Sequence, residues 1–382
     1  VTREEAVRHA LARSPSLRAE RAELRALQAE IVQAGLPPNP EIAVEIENFG
    51  GSGAASGFGG AEITSGLSQK IETAGKRPKR ARVASLKAEA ALAEAAAAKR
   101  EVAIVADRGF TTLLETRSIR ELGERNLARA EENLRTIETL LEAGKGNRID
   151  VSRAKLAVSG AREQLSEARS AEKKAASDLS RTWGGGSSDV TARGELAPPR
   201  GKSPAIGEAV LARHPSMRAA NLRIAGAEAT HELEKARRIT NVELGAGVRQ
   251  MRDADETSAV AGLSIPLPFF DRNQGNIQAA AERVVRAREQ SRTTESDLRA
   301  RLAQLAAELR AARERVTEFD TRTLDAARQA LADTTEAYSA GKASLLEVLD
   351  ARETLFHIER GRTRALADLL RAHGTLEILI RP

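Results

Sequence analysis

The chain has 382 residues, of which only 2% are aromatic and 30% are charged, and it contains no cysteine. This composition excludes disulfides and thiolate metal sites and argues against thick, compact cores; periodic Ala, Leu, Glu and Arg point instead to long, thin helical packing. The 60 Lys and Arg against 54 Asp and Glu leave a net charge of +6, and because the two signs interleave with few aromatics between them, no nucleic-acid partner is indicated.

Residues 3–35 predict a helix that ends before Pro37, Pro38 and Pro40, where fixed ring geometry and missing donors stop the hydrogen-bond ladder. Strict alternation follows. Ile42, Val44 and Ile46 point one way and Glu41, Glu45 and Glu47 the other, and the pattern returns across 61–71 after the Gly-rich loop from Gly50 to Gly60. From Lys76 to Glu142 nothing breaks a helix except Pro78, which a first turn tolerates; at 1.5 Å per residue that helix is roughly 100 Å long. A return helix over about 147–183 carries Val151, Ala154, Val158, Ala161, Leu165 and Ala168 at coiled-coil spacing.

The same order then repeats. The string ARSPSLRA at 12–19 comes back as ARHPSMRA at 212–219, and Ala143-Gly144-Lys145 comes back as Ala340-Gly341-Lys342. A period of about 200 residues is too long for a solenoid and fits a duplicated module. The expected organisation is a first repeat at 1–183, a Gly/Ser/Pro-rich linker at 184–204 and a second repeat at 205–382. In the second repeat Val242, Leu244, Ala246 and Val248 alternate with Glu243, Gly245, Gly247 and Arg249. Strands are thus expected at about 40–49, 61–71, 241–251 and 258–268. Long helices are expected at about 275–339, with a seam at Leu298, Leu302, Leu305, Leu309, Ala312, Val316 and Phe319, and at about 344–379, with Leu355, Ile358, Ala365, Leu369, Ala372 and Leu376.

No apolar run approaches the roughly 18 residues of a membrane-spanning helix, whereas strands of about ten residues are long enough to cross a bilayer when tilted. Four strands are too few to close a membrane barrel, and open edges are not tolerated in lipid, so a spanning role demands several copies of the chain. A pair of hairpins on a soluble coiled-coil scaffold or adaptor is the alternative. The chain opens at Val1 with no apolar leader, as expected where a signal segment has been removed or an end trimmed, and it offers no cysteine for lipidation.

Three strings carry a resemblance that covers nearly the whole chain. They are PNPE at 38–41, GLSQKIE at 66–72 followed by GKR at 75–77, and above all IPLPFFDRNQGNI at 265–277. With the two Ala-Gly-Lys turns, these resemble the TolC-like outer-membrane factors, in particular the heavy-metal efflux branch of CzcC-like outer membrane efflux proteins. The resemblance implies a mainly α fold with transmembrane β, built of duplicated helix-strand-strand-helix-helix halves. It implies a homotrimer in the bacterial outer membrane, with a twelve-stranded barrel in lipid and a long α-helical barrel extending into the periplasm. Such a trimer is the exit duct of a tripartite pump, with a periplasmic membrane-fusion adaptor and an inner-membrane transporter of the resistance-nodulation-division (RND) class as partners. The cargo implied is heavy-metal cations of the Co/Zn/Cd or Cu/Ag class; drugs or secreted proteins are the alternative cargo.

Carried onto this sequence, the resemblance places an acidic ring at the periplasmic mouth on Glu347 and Asp350, with Asp150 as the first-repeat equivalent, although an acidic residue after a turn also suits a helix N-terminus. The adaptor-docking tips are Gly144, Lys145 and Asn147 in one repeat and Gly341, Lys342, Ser344 and Leu345 in the other. If the apolar strand positions face lipid, Glu41, Glu45, Glu47, Glu62 and Glu243 face the lumen. The basic string Lys76–Arg80 is a candidate for anionic lipid headgroups. The five histidines are scattered and no phosphate loop, zinc motif or nucleophile constellation is present, so neither cofactor, metal site nor enzyme activity is expected.

Overall fold

The computed structural model describes residues 1–199 and 208–381. Residues 200–204 of the expected linker and the start of the second repeat lie outside the described residues. In chain order the elements are α1 (Arg3–Arg13), α2 (Pro15–Ala34), β1 (Glu41–Glu47), β2 (Glu62–Ile71), α3 (Lys76–Glu142) and α4 (Arg148–Arg181). They are followed by α5 (Glu208–Arg213), α6 (Pro215–Arg237), β3 (Val242–Met251), β4 (Glu256–Ser264), α7 (Gln274–Glu318), α8 (Leu324–Ser339) and α9 (Leu345–Ile380).

The elements differ from the expected ends in three places. The helix expected over 3–35 is two helices, because the residue before Pro15 is pushed out of the helical region: Ser14 sits at φ −54°, ψ 127°. His214 and Pro215 divide α5 from α6 in the matching place. The helix expected over 275–339 is interrupted by a π turn at Phe319–Thr323, which inserts one residue into the ladder and rotates the face that α8 presents. Strand β4 ends at Ser264, since Pro266 and Pro268 have no N–H to offer a ladder, and Ile265 and Leu267 fall outside it.

The chain forms two compact units from interleaved segments. One comprises 1–20, 95–214 and 296–382. Its core is a set of helical seams: Phe110, Leu113, Leu114, Ala175, Ala176 and Leu179 pack together with Ala6 and Ala192, while Leu302, Leu305, Leu309, Leu366, Leu376 and Leu379 are buried elsewhere in the same unit. Most seam positions read from the sequence are buried, from Ala154 to Ala168 in α4 and from Leu298 to Val316 in α7, whereas Val151, Phe319 and Ile358 are half-buried. Arg3 of α1 reaches the fully buried carboxylate of Asp107 in α3 and also Glu377 of α9 at 3.3 Å, tying the short first helix to two long ones.

The other unit comprises 21–94 and 215–295 and contains the sheet. Its helices bury small side chains, Ala88, Ala90, Ala93, Ala219, Ala220, Ala236 and Ala280, with Leu27, Leu86 and Leu233; alanine seams let helix axes approach closely. The ion pairs Lys87–Glu30, Arg223–Glu94 and Arg288–Glu228, at 2.7–3.0 Å, lie on exposed flanks of these contacts.

The sheet has four antiparallel strands in the order β1-β2-β3-β4. Register fixes the faces, because directly opposed residues share one. Ile42 pairs with Leu67 and Leu67 with Ala246, while Leu244 pairs with Leu263. Val44, Val248 and Ile46 lie on this same face, and Ile42 is 81% exposed and Leu263 63% exposed. The opposite face is polar. One edge of β1 and one edge of β4 have no strand partner among the described residues.

Candidate functional site

Two places carry the expected site residues: the polar face of the sheet, and the turns between α3 and α4 and between α8 and α9.

At the turns, the helices end in left-handed glycines, Gly144 and Gly341, both at φ 70°. In each, the glycine N–H donates three residues back, to Leu141 or Tyr338 at 3.0 Å. The following lysine N–H donates to Leu140 or Ala337, at 2.9 and 2.8 Å. This is the paired closure by which a helix satisfies its last carbonyls before the chain reverses. Lys145 and Lys342 are exposed.

The next helices start on side-chain caps. Asn147 Oδ1 accepts the Asp150 N–H at 2.8 Å, and Ser344 Oγ accepts that of Glu347. Both acids return the contact: Asp150 Oδ2 accepts from the Asn147 amide at 2.9 Å, and Glu347 Oε2 accepts the Ser344 N–H at 2.6 Å. The hydrogen bonds from Ser344 hold the Glu347 carboxyl below its ordinary range. Asp350, one turn further on, is exposed and has no hydrogen-bond or ion-pair partner among the described residues.

A small cluster joins the two turns. Leu345, Ile137 and Ala154 are buried against Leu134, Val151, Tyr338 and Leu349. Leu345, expected as a docking residue, is 1% exposed and points into this cluster; the exposed apolar side chains of the turns are Leu346 and Ile149. Tyr338 is half-buried, and burial together with the charge of Asp150 pushes its hydroxyl above the usual range. Sequence spacing does not reveal that tyrosine's place, because it rests on which helices meet.

On the sheet, Glu41, Glu45, Glu47, Glu62 and Glu243 all lie on the polar face. Glu47 faces Glu62 directly across β1 and β2. Their charges are bridged by Arg249 of β3, whose guanidinium reaches Glu62 at 3.0 Å, Glu47 at 3.3 Å and Thr64 Oγ1 at 3.0 Å. Asn48 also donates to Glu62 at 3.0 Å, and Ser68 to Glu243 at 2.8 Å. The alternation places Arg249 on this face, but only the register reveals the bridge.

The basic string 76–80 is mostly committed to structure. Lys76 is buried, with its ammonium on the Ile239 carbonyl and the Asn241 side chain, and burial lowers its pKa. Arg80 pairs with Glu72 and donates to the carbonyls of Ala34 and Leu36 at 2.8 and 2.9 Å, capping the end of α2. Arg77 alone of its cations is exposed, Lys79 being half-buried. Exposed phenylalanines stand nearer the sheet: Phe49 stacks on Phe58, ring centres 5.3 Å apart, in the β1–β2 loop, and Phe269 and Phe270 follow β4. Among the described residues no helix is long and apolar enough to cross a membrane, and no group of three or more His, Asp or Glu is arranged to hold a metal ion.

Comparison with known proteins agrees with this architecture. The chain is 26% identical over 96% of its length to the cobalt-zinc-cadmium resistance protein CzcC of Cupriavidus metallidurans, covering 86% of that protein. It is 30% identical over 74% of its length to the nickel and cobalt resistance protein CnrC of the same organism, covering 67% of it. Its fold is that of crystalline CusC, with a TM-score of 0.85 over 99% of this chain and 91% of that one, at 16% identity. The model of the family described as outer membrane efflux protein matches twice, over residues 6–185 and 206–380, and the chain belongs to that family.

Proposed function

We propose that this outer-membrane protein is the exit duct of a tripartite efflux pump that exports heavy-metal cations from the periplasm. Three copies join edge to edge, each giving four strands to a twelve-stranded barrel and its long helices to a periplasmic tunnel. The observation that carries this reading is the sheet: an exposed apolar face, an opposite face with glutamates, and two unpaired edges. Such a sheet is unsatisfied alone; closing it removes both edges and leaves the apolar face for lipid and the polar face for a water-filled lumen. Phe49, Phe58, Phe269 and Phe270, exposed beyond the strand ends, suit the two membrane interfaces.

In this arrangement the α3–α4 and α8–α9 turns form the periplasmic mouth and its adaptor-docking tips. Gly144, Lys145 and Asn147, with Gly341, Lys342 and Ser344, shape the turns, and exposed Leu346 and Ile149 supply the apolar contact that buried Leu345 does not. Asp150 and Glu347 are engaged as helix caps, which leaves Asp350 as the freest carboxylate to concentrate cations at the mouth. The partners are a periplasmic membrane-fusion adaptor and an RND-class transporter that supplies the energy. The chain conducts and does not catalyse. Metal cargo is supported by the relatives named for cobalt, zinc, cadmium and nickel resistance.

The test is metal tolerance. A strain lacking this protein should grow at several-fold lower zinc, cobalt or cadmium than its parent, the intact chain should restore growth, and Asp350→Asn should restore it only in part. Unchanged tolerance to all three metals in the deletion strain would contradict the metal reading.

A further inference from the structure

We infer that Arg249 sets the charge selectivity of the passage at the loop end of the sheet, by neutralising carboxylates that would otherwise face the water. The inference rests on the polar face lining a lumen. Register divides that face into rungs. The rung Ala43–Gly66–Gly247–Val260 carries no charge. Beyond it, toward the β1–β2 and β3–β4 loops, lie the last two rungs, with Glu45 and Glu47 on β1, Glu62 on β2 and Glu256 on β4. Arg249 is the one cation among the described residues of those rungs.

Its geometry makes it a neutraliser. The guanidinium is permanently charged and planar, and it spends its donors on Glu47 of β1 and on Glu62 and Thr64 of β2, so one side chain of β3 engages both neighbouring strands. Glu45 and Glu256 have no ion-pair or hydrogen-bond partner among the described residues and remain to attract cations. A ring that lost Arg249 would gain one uncompensated carboxylate in every copy of the chain. For charges about one Debye length from the permeation path, three such changes raise the local monovalent cation concentration roughly twofold.

The experiment is reversal potential across a planar bilayer holding the purified full-length protein, in a KCl gradient. The expected results are a cation-selective wild type and a K⁺/Cl⁻ permeability ratio about twofold or more higher in Arg249→Gln. Arg249→Lys, which keeps the charge but loses the planar fork, should stay at the wild-type ratio, and Glu62→Gln should fall below it. An unchanged ratio in Arg249→Gln, or an Arg249→Lys ratio displaced as far as that of Arg249→Gln, overturns the inference while leaving the duct standing. A wild type that conducts without cation preference overturns the lumenal reading of the glutamates as well. If Arg249→Gln does not insert, the other two variants decide: Lys at the wild-type ratio with Glu62→Gln below it supports the inference, and any other pair of results overturns it.

Discussion

At the scale of single residues, the proline breaks place a titratable group where burial controls its charge. His214 stands before Pro215 and is 5% exposed. Its pKa is pushed down to about 4, first by burial and then by the nearby charges of Arg100 and Arg301, with Glu101 opposing them weakly. An unfolded histidine titrates near 6.5. Between the two values the unfolded chain binds more protons than the folded one, so stability is full above about pH 6.5 and falls as the pH drops toward 4. By pH 5 the loss from this one side chain is of the order of 1–2 kcal/mol. Thermal unfolding in detergent at pH 7.5, 6 and 5 should show a falling midpoint for the wild type and a flatter profile for His214→Gln. Parallel profiles would show that His214 is not the source. The same scale separates Asp150, Glu347 and Asp350, the acids proposed for the mouth. Two of the three are cap partners whose position in the first turn a local sequence pattern accounts for, and Asp350 is distinguished from them only by the structure's hydrogen bonds.

Elements show which patterns carry their own answer. Period-two alternation in 41–47 and 242–248 was enough to assign every side chain to a face, because a strand has no other way to present them. The four-three spacing from Leu298 to Val316 was enough to name the seam for the same reason. Hidden from that reading was anything decided by a neighbour. The π turn at Phe319–Thr323 depends on packing against α9, where Arg362 pairs with Asp320, and nothing local marks it. Leu345 and Leu346 are adjacent and chemically identical, and only the approach of Ile137 and Ala154 decides which is buried.

Strand pairing is decided in the same way at Gly247. A Cβ there would lie 2.4 Å from the Ser65 carbonyl oxygen and 2.8 Å from the Gly66 Cα, both backbone atoms of the adjoining strand. Overpacking of this kind costs typically about 1–3 kcal/mol, and more where backbone must move. Gly247→Val should therefore part β2 from β3, and in a cell expressing it little of the protein should be recovered folded from the outer membrane, while Gly262→Val, where a Cβ meets nothing within 4 Å, should be recovered there. Equal yields of the two variants would refute the close approach.

The whole molecule is where duplication and assembly meet. The family model matches twice, over 6–185 and 206–380; two of the four strands fall within each matched stretch, and all four join in one sheet. That several copies are needed to complete the sheet follows from the two unpaired edges and from the absence of water in the bilayer core. The apolar face, with Ile42, Val44 and Leu263 more than half exposed, has the same implication, because a surface of that kind has no place in a soluble monomer. The most direct test of the duct is the protein mass of the purified chain in mild detergent, by light scattering corrected for bound detergent. The account predicts three copies per particle and precipitation when the detergent is removed; a monomer or dimer that stays soluble without detergent would contradict it.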